Sequence, residues 1–201
     1  GYYVTGYTTN GTNVFYLESD VVSVSLDGPR EVHDAIRCPG TFDKLMANLD
    51  RVEHPNVFAN MVVMPENKHL IRETAQIVKD SKRINGLMIN FLTPPPDSKT
   101  LTLEEKRKVV EEVMSLKKEG FPILNSRKAL KELLIEDYTD RCPYWASEFV
   151  MPDRSKHYGC PMRGESCKRC GFNAVREYSL VTRGSPSTIL SMAGRFALST
   201  K

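Results

Sequence analysis

The stretch Val21-Val22-Ser23-Val24-Ser25-Leu26-Asp27-Gly28-Pro29 decides the reading of the fold. β-Branched residues fill its first half and a turn cluster ends it, the pattern of a short strand running into a tight turn. The same signature recurs. Residues 57–64 form an apolar run closed by Pro65-Glu66-Asn67, and residues 86–92 form another, stopped by Pro94-Pro95-Pro96. Residues 2–8 are a further strand-like run. Between these runs apolar residues recur at helical spacing. Residues 41–52 carry Phe42, Leu45, Met46, Leu49 and Val52, and residues 68–80 carry Leu70, Ile71, Ile77 and Val78. Strands alternating with helices predict an α/β fold with a parallel sheet and right-handed crossovers. Near-continuous apolar strands predict burial on both sheet faces.

Two more helices and one more strand are expected. Thr102-Leu103-Glu104-Glu105 is a capping box, in which the Thr102 hydroxyl accepts from the Glu105 amide while Glu105 reaches back. The helix it opens should run to Glu119, with Gly120 just past its end. Residues 121–124 read as a short strand. Residues 126–138 read as a helix with Ala129, Leu130, Leu133 and Leu134 inward. Beyond about Asp140 the rhythm stops. The implied division is residues 1–139 as the α/β unit, 140–182 as a Cys-rich extension, and 183–201 as a C-terminal tail. Ile189, Leu190, Met192, Phe196 and Leu198 suit a short docking helix in that tail; a partner-binding tail is the alternative.

The chain has 201 residues, 40% of them hydrophobic and 26% charged, with a net charge of +3. That balance is ordinary for a globular protein and gives no reason to expect a nucleic-acid or membrane surface. No apolar run approaches the roughly 20 residues that span a bilayer.

Cys142, Cys160, Cys167 and Cys170 lie within 29 residues; Cys38 stands apart. A chain without a secretory signal is expected in the reducing cytoplasm, where clustered cysteines bind metal more often than they form disulfides. The spacing Cys-x17-Cys-x6-Cys-x2-Cys offers four thiolates, enough for one [4Fe–4S] cluster or one tetrahedral zinc. His157 is a possible substitute ligand. Arg154, Lys156, Arg163, Lys168 and Arg169 surround the cysteines, where positive charge would stabilise thiolates. Tyr144 and Trp145 are expected to pack the metal loop.

Ligands of α/β folds gather at the C-terminal strand ends. Here those ends are Thr8-Thr9-Asn10-Gly11, Ser25-Leu26-Asp27-Gly28 and Leu92-Thr93-Pro94, although Asn10-Gly11 and Asp27-Gly28 also suit plain tight turns. Together with His33-Asp34, Ile36-Arg37 and Gly40-Thr41-Phe42, their order over residues 2–100 resembles the middle of radical S-adenosylmethionine (radical SAM) enzymes. The resemblance is closest to the branch with SPASM- or twitch-like cysteine-rich extensions.

The resemblance implies the C-terminal portion of a partial (β/α)6 barrel, its third to sixth strands. The Cys-x-x-x-Cys-x-x-Cys cluster loop and the Gly-Gly-Glu strand are then expected upstream of Gly1, because no three of the five cysteines have that spacing. Such a chain should not catalyse the radical reaction alone. By resemblance, Ser25 contacts the SAM ribose or carboxylate and Arg37 pairs with the carboxylate as a planar fork. Thr9 and Asn10 lie near the ribose, and the backbone at Val63-Met64 and Leu92 borders the adenine. His33 pins the loop that carries Arg37, Asp34 helps fix Arg37, and His33 is not an acid–base residue. Cys38 is structural or substrate-facing. The implied reaction is cleavage of SAM, by one electron from a reduced [4Fe–4S] cluster, to methionine and a 5′-deoxyadenosyl radical that abstracts hydrogen from a small molecule or peptide. The implied electron donor is a flavodoxin or ferredoxin, and the four late cysteines would hold an auxiliary cluster. A zinc-stabilised, non-catalytic α/β module is the competing expectation.

Overall fold

The structure, a computed structural model, describes residues 5–94, 99–150 and 153–196. Its centre is a four-stranded sheet of β1 (Gly6–Thr9), β2 (Val21–Ser25), β3 (Val57–Val63) and β4 (Leu87–Phe91), all parallel and in sequential order. The connections carry α1 (Arg30–Arg37), α2 (Thr41–Leu49), α3 (Ile71–Asp80) and α4 (Leu103–Lys118). Residues 2–4 of the first expected strand, as well as Pro95, Pro96 and Leu198, lie outside the described residues.

The helices cover one face of the sheet. Val22 and Val24, Ala59, Met61 and Val63, and Leu87 and Ile89 point into one core with Leu45 of α2, Ile71 and Val78 of α3, and Val113 and Leu116 of α4. The alternate residues (Ser23, Phe58, Asn60, Val62, Met88 and Asn90) line a cleft of about 490 Å³ on the other face. The expectation of two buried faces is therefore corrected. The strands are less continuous in polarity than a doubly covered sheet requires, because Ser23, Asn60 and Asn90 share one side.

The capping box forms as expected. The Thr102 hydroxyl accepts from the Glu105 amide (3.3 Å), and the Glu105 carboxylate accepts from the Thr102 amide (2.8 Å). Residues 121–124 contribute one parallel bridge, Ile123 to Leu87, rather than a strand. Asn125 continues the pairing with its side chain: its Oδ1 accepts from the Ile89 amide and its Nδ2 donates to the Ile89 carbonyl, both at 2.8 Å.

Three expectations change. Residues 30–37 are helical, so His33 and Arg37 lie on α1 and not in a loop. The helix expected over 126–138 is only α5 (Arg127–Glu132), capped by Ser126. It stops because the Glu132 and Ile135 carbonyls turn to Arg176 and the Tyr138 amide turns to the Cys167 carbonyl. A further helix, α6 (Asn173–Thr182), was not expected; it is followed by α7 (Pro186–Phe196). What α7 buries is polar, Thr188 with Ser185 just before the helix, while Ile189 and Leu190 are exposed. Between α5 and α6 lie the short antiparallel pair β5 (Glu148–Val150) and β6 (Lys156–Tyr158) and two 3₁₀ turns. No helix among the described residues is long and apolar enough to cross a membrane.

The Lys68 ammonium, then the Thr102 amide and hydroxyl, hold the Glu105 carboxyl down at about 2, against a usual 4.5. A depressed value contributes stability above the unfolded pKa, and that contribution is lost as pH falls from about 4.5 toward about 2. Thr102→Ala is expected to cost about 1 kcal/mol at neutral pH. The penalty for Glu105→Gln should shrink through that acidic window. Urea titrations at a series of pH values check both, and a Glu105→Gln penalty unchanged at the acid end would contradict the assignment.

Candidate functional site

The buried Asp27 organises the C-terminal end of the sheet. Its Oδ1 accepts from the Val62 amide (3.0 Å) and its Oδ2 accepts from Arg37 Nε (2.5 Å). Its carbonyl accepts from Asn67 Nδ2 (2.9 Å), and its amide donates to His33 Nδ1 (3.3 Å). This turn residue therefore ties β2, β3 and α1 together. Accepting that amide requires a neutral His33 ring on the Nδ1 side. Burial keeps it so, pushing His33 below the usual histidine value against the opposing charge of Asp27. The structural role expected of His33 fits this contact.

Asp27, and not Asp34, fixes Arg37. Asp34 instead caps α2, accepting from the Gly40 amide (2.7 Å), the Phe42 amide (2.8 Å) and the Thr41 hydroxyl (3.1 Å). The Phe42 amide is the main cause that holds its carboxyl below the usual aspartate range.

Arg37, Asn10 and Leu92 line one open cleft at the strand ends, of about 550 Å³. Lys44 and Thr41 line it too; the sequence reading did not single out Lys44. Arg37 spends Nε on Asp27, so Nη1 and Nη2 are left to face a ligand, beside a second cation. The arrangement suits a carboxylate. Met64, expected beside the adenine, lines the cleft as well. The remaining expected contacts are placed differently. Ser25 is buried at the end of β2, outside the lining. Thr9 turns its hydroxyl to the Gly11 amide (3.1 Å). Val63 buries its side chain on the helix-covered face, and its carbonyl accepts from the Leu92 amide (3.3 Å). Gly11 is required where it stands: its φ is +72°, and a Cβ there would lie 2.2 Å from Leu45 Cδ1.

The four late cysteines come together. Cys142, Cys160, Cys167 and Cys170 all line one small, partly open cavity of about 50 Å³, with Tyr138, Arg163 and Arg176. Burial pushes the Cys142 thiol up, and the charges of Cys170, Cys167 and Cys160 push it further. No three His, Cys, Asp or Glu side chains among the described residues are gathered tightly enough to hold a single metal ion. The thiols surround a space, not a point. His157 lies exposed on β6 and does not line that cavity, but it shares an adjoining open groove with Tyr144, Cys160 and Arg163. Tyr144 does line the cavity, with the Arg163 guanidinium 3.2 Å from its ring centre. Trp145 is exposed and does not pack there, which corrects the expectation for it. Lys156 and Lys168 pair with Glu148 and Glu165.

The cysteine segment is held against the edge of β4. The Phe91 amide donates to the Gly171 carbonyl (3.0 Å), the Gly171 amide to the Thr93 hydroxyl (2.8 Å), and the Asn173 amide to Asn90 Oδ1 (2.7 Å). A Cβ at Gly171 would lie 2.0 Å from the Phe91 carbonyl oxygen, so only glycine allows this approach. The docking makes Leu92-Thr93 a shared wall. Leu92 lines both the strand-end cleft and the cleft on the open sheet face; Thr93 lines that open-face cleft and the cysteine cavity.

Two residues of this region, Arg176 and Glu177, were missed in the sequence. Both are buried on α6. Their signal is weak because α6 buries a polar face: Asn173, Arg176, Glu177 and Ser179, with Leu180. No protein-family model matches the chain, and no curated protein matches it.

Gly171→Ala is expected to lift the cysteine segment from β4 and to cost about 2–4 kcal/mol. Iodoacetamide labelling of the metal-free protein, mapped by mass spectrometry, provides the readout. In the parent chain the exposed Cys38 should label fast and Cys142 slowest of the cavity thiols, since burial and a raised pKa both suppress its thiolate. In Gly171→Ala all four late cysteines should approach the rate of Cys38. Unchanged slow labelling would contradict the docking.

Proposed function

We propose that this chain is part of a radical SAM enzyme, that it binds the S-adenosylmethionine carboxylate at Arg37, and that its four late cysteines hold an auxiliary iron–sulfur cluster. The observation that carries the reading is the shared wall at Leu92-Thr93. It sets a cationic strand-end cleft, a central cleft and a four-cysteine cavity side by side along one sheet. The sequential parallel order and the single helix-covered face are compatible with a segment of a (β/α) barrel whose lumen is the central cleft.

When bound, SAM and its cluster supply reductive cleavage and a 5′-deoxyadenosyl radical that removes a hydrogen atom from substrate. No three cysteines here have the Cys-x-x-x-Cys-x-x-Cys spacing, so on this reading the cluster that cleaves SAM would be held elsewhere. The chain's own residues orient and enclose. Arg37, fixed through Nε by Asp27, presents its remaining amines to the carboxylate, with Lys44 beside it. Asn10 and Leu92 border the rest of the nucleoside. The apolar walls of the central cleft, among them Phe58, Val62 and Met88, would exclude water from the substrate. Cys142, Cys160, Cys167 and Cys170 would ligate the auxiliary cluster. They fit by donor set and by placement round one cavity, with Arg163 and Arg176 at its wall to offset anionic charge.

Two measurements test this. The first is calorimetric titration of S-adenosylhomocysteine. Binding weakened roughly tenfold or more by Arg37→Ala supports the strand-end site; binding indifferent to that change removes it. The second is anaerobic reconstitution with iron and sulfide. About four irons and four sulfides per chain are expected, with visible charge-transfer absorption. A colourless protein holding one zinc would instead favour the non-catalytic α/β module.

A further inference from the structure

Arg176 is fully buried on α6 at the wall of the cysteine cavity. Its Nε donates to the Glu132 carbonyl (3.3 Å), and its Nη2 donates to the carbonyls of Cys170 (2.7 Å) and Ile135 (3.3 Å). The guanidinium carbon lies 3.6 Å from the Tyr138 ring centre. Nη1 has no hydrogen-bond partner among the described residues. A guanidinium stays charged. Burying it away from an anion costs several kcal/mol, so a buried arginine is expected to face a counter-ion.

The nearby acid does not fill that role by hydrogen bonding. Glu132 turns its carboxylate oxygens to Arg183 (2.6 and 2.7 Å) and to the Tyr138 hydroxyl. The group that most opposes the desolvation of Arg176 is Cys170, through its charge first and through a side-chain contact. Lys106, buried behind Phe91 with Nζ 5.9 Å from the ring centre, is answered first by the charge of Glu136. Two cations, Arg163 and Arg176, line the same cavity as the four cysteines, and only Arg176 is fully buried. The unpartnered Nη1 of Arg176, buried at that wall, is the polar group the protein leaves for whatever the cavity holds.

We propose that Arg176 is the buried countercharge of the centre held by Cys142, Cys160, Cys167 and Cys170, donating Nη1 to one of its sulfurs and favouring its reduced state. The inference rests on reading those cysteines as an iron–sulfur site. Reduction adds one negative charge to the cluster. In a low-dielectric cavity a fixed cation with a hydrogen bond to sulfur stabilises that added charge and raises the reduction potential. Arg176 is thus a positioning and tuning residue and not a ligand.

The test uses the full chain, reconstituted anaerobically with iron and sulfide and titrated with dithionite, with the reduced cluster followed by electron paramagnetic resonance. Arg176→Met should keep its iron but shift the one-electron equilibrium at least tenfold toward the oxidised cluster, about 59 mV. Arg176→Lys, which keeps the charge but loses the fork, should fall between. A structural tie alone would change stability and iron retention without moving the potential. Should Arg176→Met fail to fold, the parent chain still decides. Labelled with ¹⁵N in its arginine guanidino groups, the reduced protein should show a ¹⁵N coupling to the cluster spin in pulsed resonance. A loaded parent chain with no such coupling, or a folded Arg176→Met with an unmoved potential, overturns the proposal. A parent chain that takes up no iron at all overturns the cluster reading first, and the role of Arg176 with it.

Discussion

A parallel strand needs hydrogen-bonding partners on both sides when it is buried, and β4 has a neighbouring strand on only one. Its far edge is completed piecemeal. Ile123 contributes one bridge, the Asn125 side chain takes both polar groups of Ile89, and Gly171 accepts from Phe91. Each buried backbone group left without such a partner costs about 1–3 kcal/mol. The segment after α5 is drawn to the sheet by that demand, and Gly171 is its closest point. Cys170, next to that anchor, and Cys167, three residues before Cys170, are thereby placed by the sheet. Leu92 and Thr93, just beyond the same edge, become the wall between three cavities because the strand has been closed there.

The other end of the hydrogen-bond economy is Asp27. A buried carboxylate is tolerated only when its oxygens are occupied and its charge is met. Val62 and Arg37 do both, and His33, held neutral by burial, receives the adjoining amide. The consequence for function is geometric. Arg37 is a long, flexible side chain on a helix; fixing Nε removes much of its rotamer freedom before a ligand arrives, which lowers the entropic cost of ordering it on binding.

The strands, α2, α3 and α4 were legible in the sequence because each buries an apolar stripe at the period of its own structure. The capping box of α4 was legible because Thr102 and Glu105 stand three residues apart and need nothing distant. What could not be read depends on partners far along the chain. α1 carries Glu31, His33, Asp34 and Arg37 on eight residues and looks like a polar loop until Asp27 and α2 supply its contacts. α6 hides its inward face as Asn173, Arg176, Glu177 and Ser179. The truncation of α5 follows from Arg176 taking carbonyls that a longer helix would have used. For the candidate site, clustering of the cysteines was visible in their spacing. Arg37 and Asn10 were visible through the resemblance, and both line the strand-end cleft. Val63 misses the lining because strand parity, set by the whole sheet, turns it to the helix-covered face, and Thr9 because a turn claims its hydroxyl; Ser25, on the parity of Ser23, is buried short of the lining.

The strand ends and the cysteine cavity share a charge logic. Each places arginine at a partly open space: Arg37 is answered by Asp27 and still has amines to offer, while Arg176 meets carbonyls, the Tyr138 ring and the Cys170 side chain but no carboxylate by hydrogen bond. An arginine already paired with a buried carboxylate is close to neutral as a unit, and it can take and release a ligand carboxylate without stranding a charge. An arginine lacking that pairing cannot be left alone without cost, so the group it faces is expected to be permanent. The two arginines therefore differ in kind. On the proposed reading, the first would suit a ligand that exchanges and the second a resident centre whose charge changes in place.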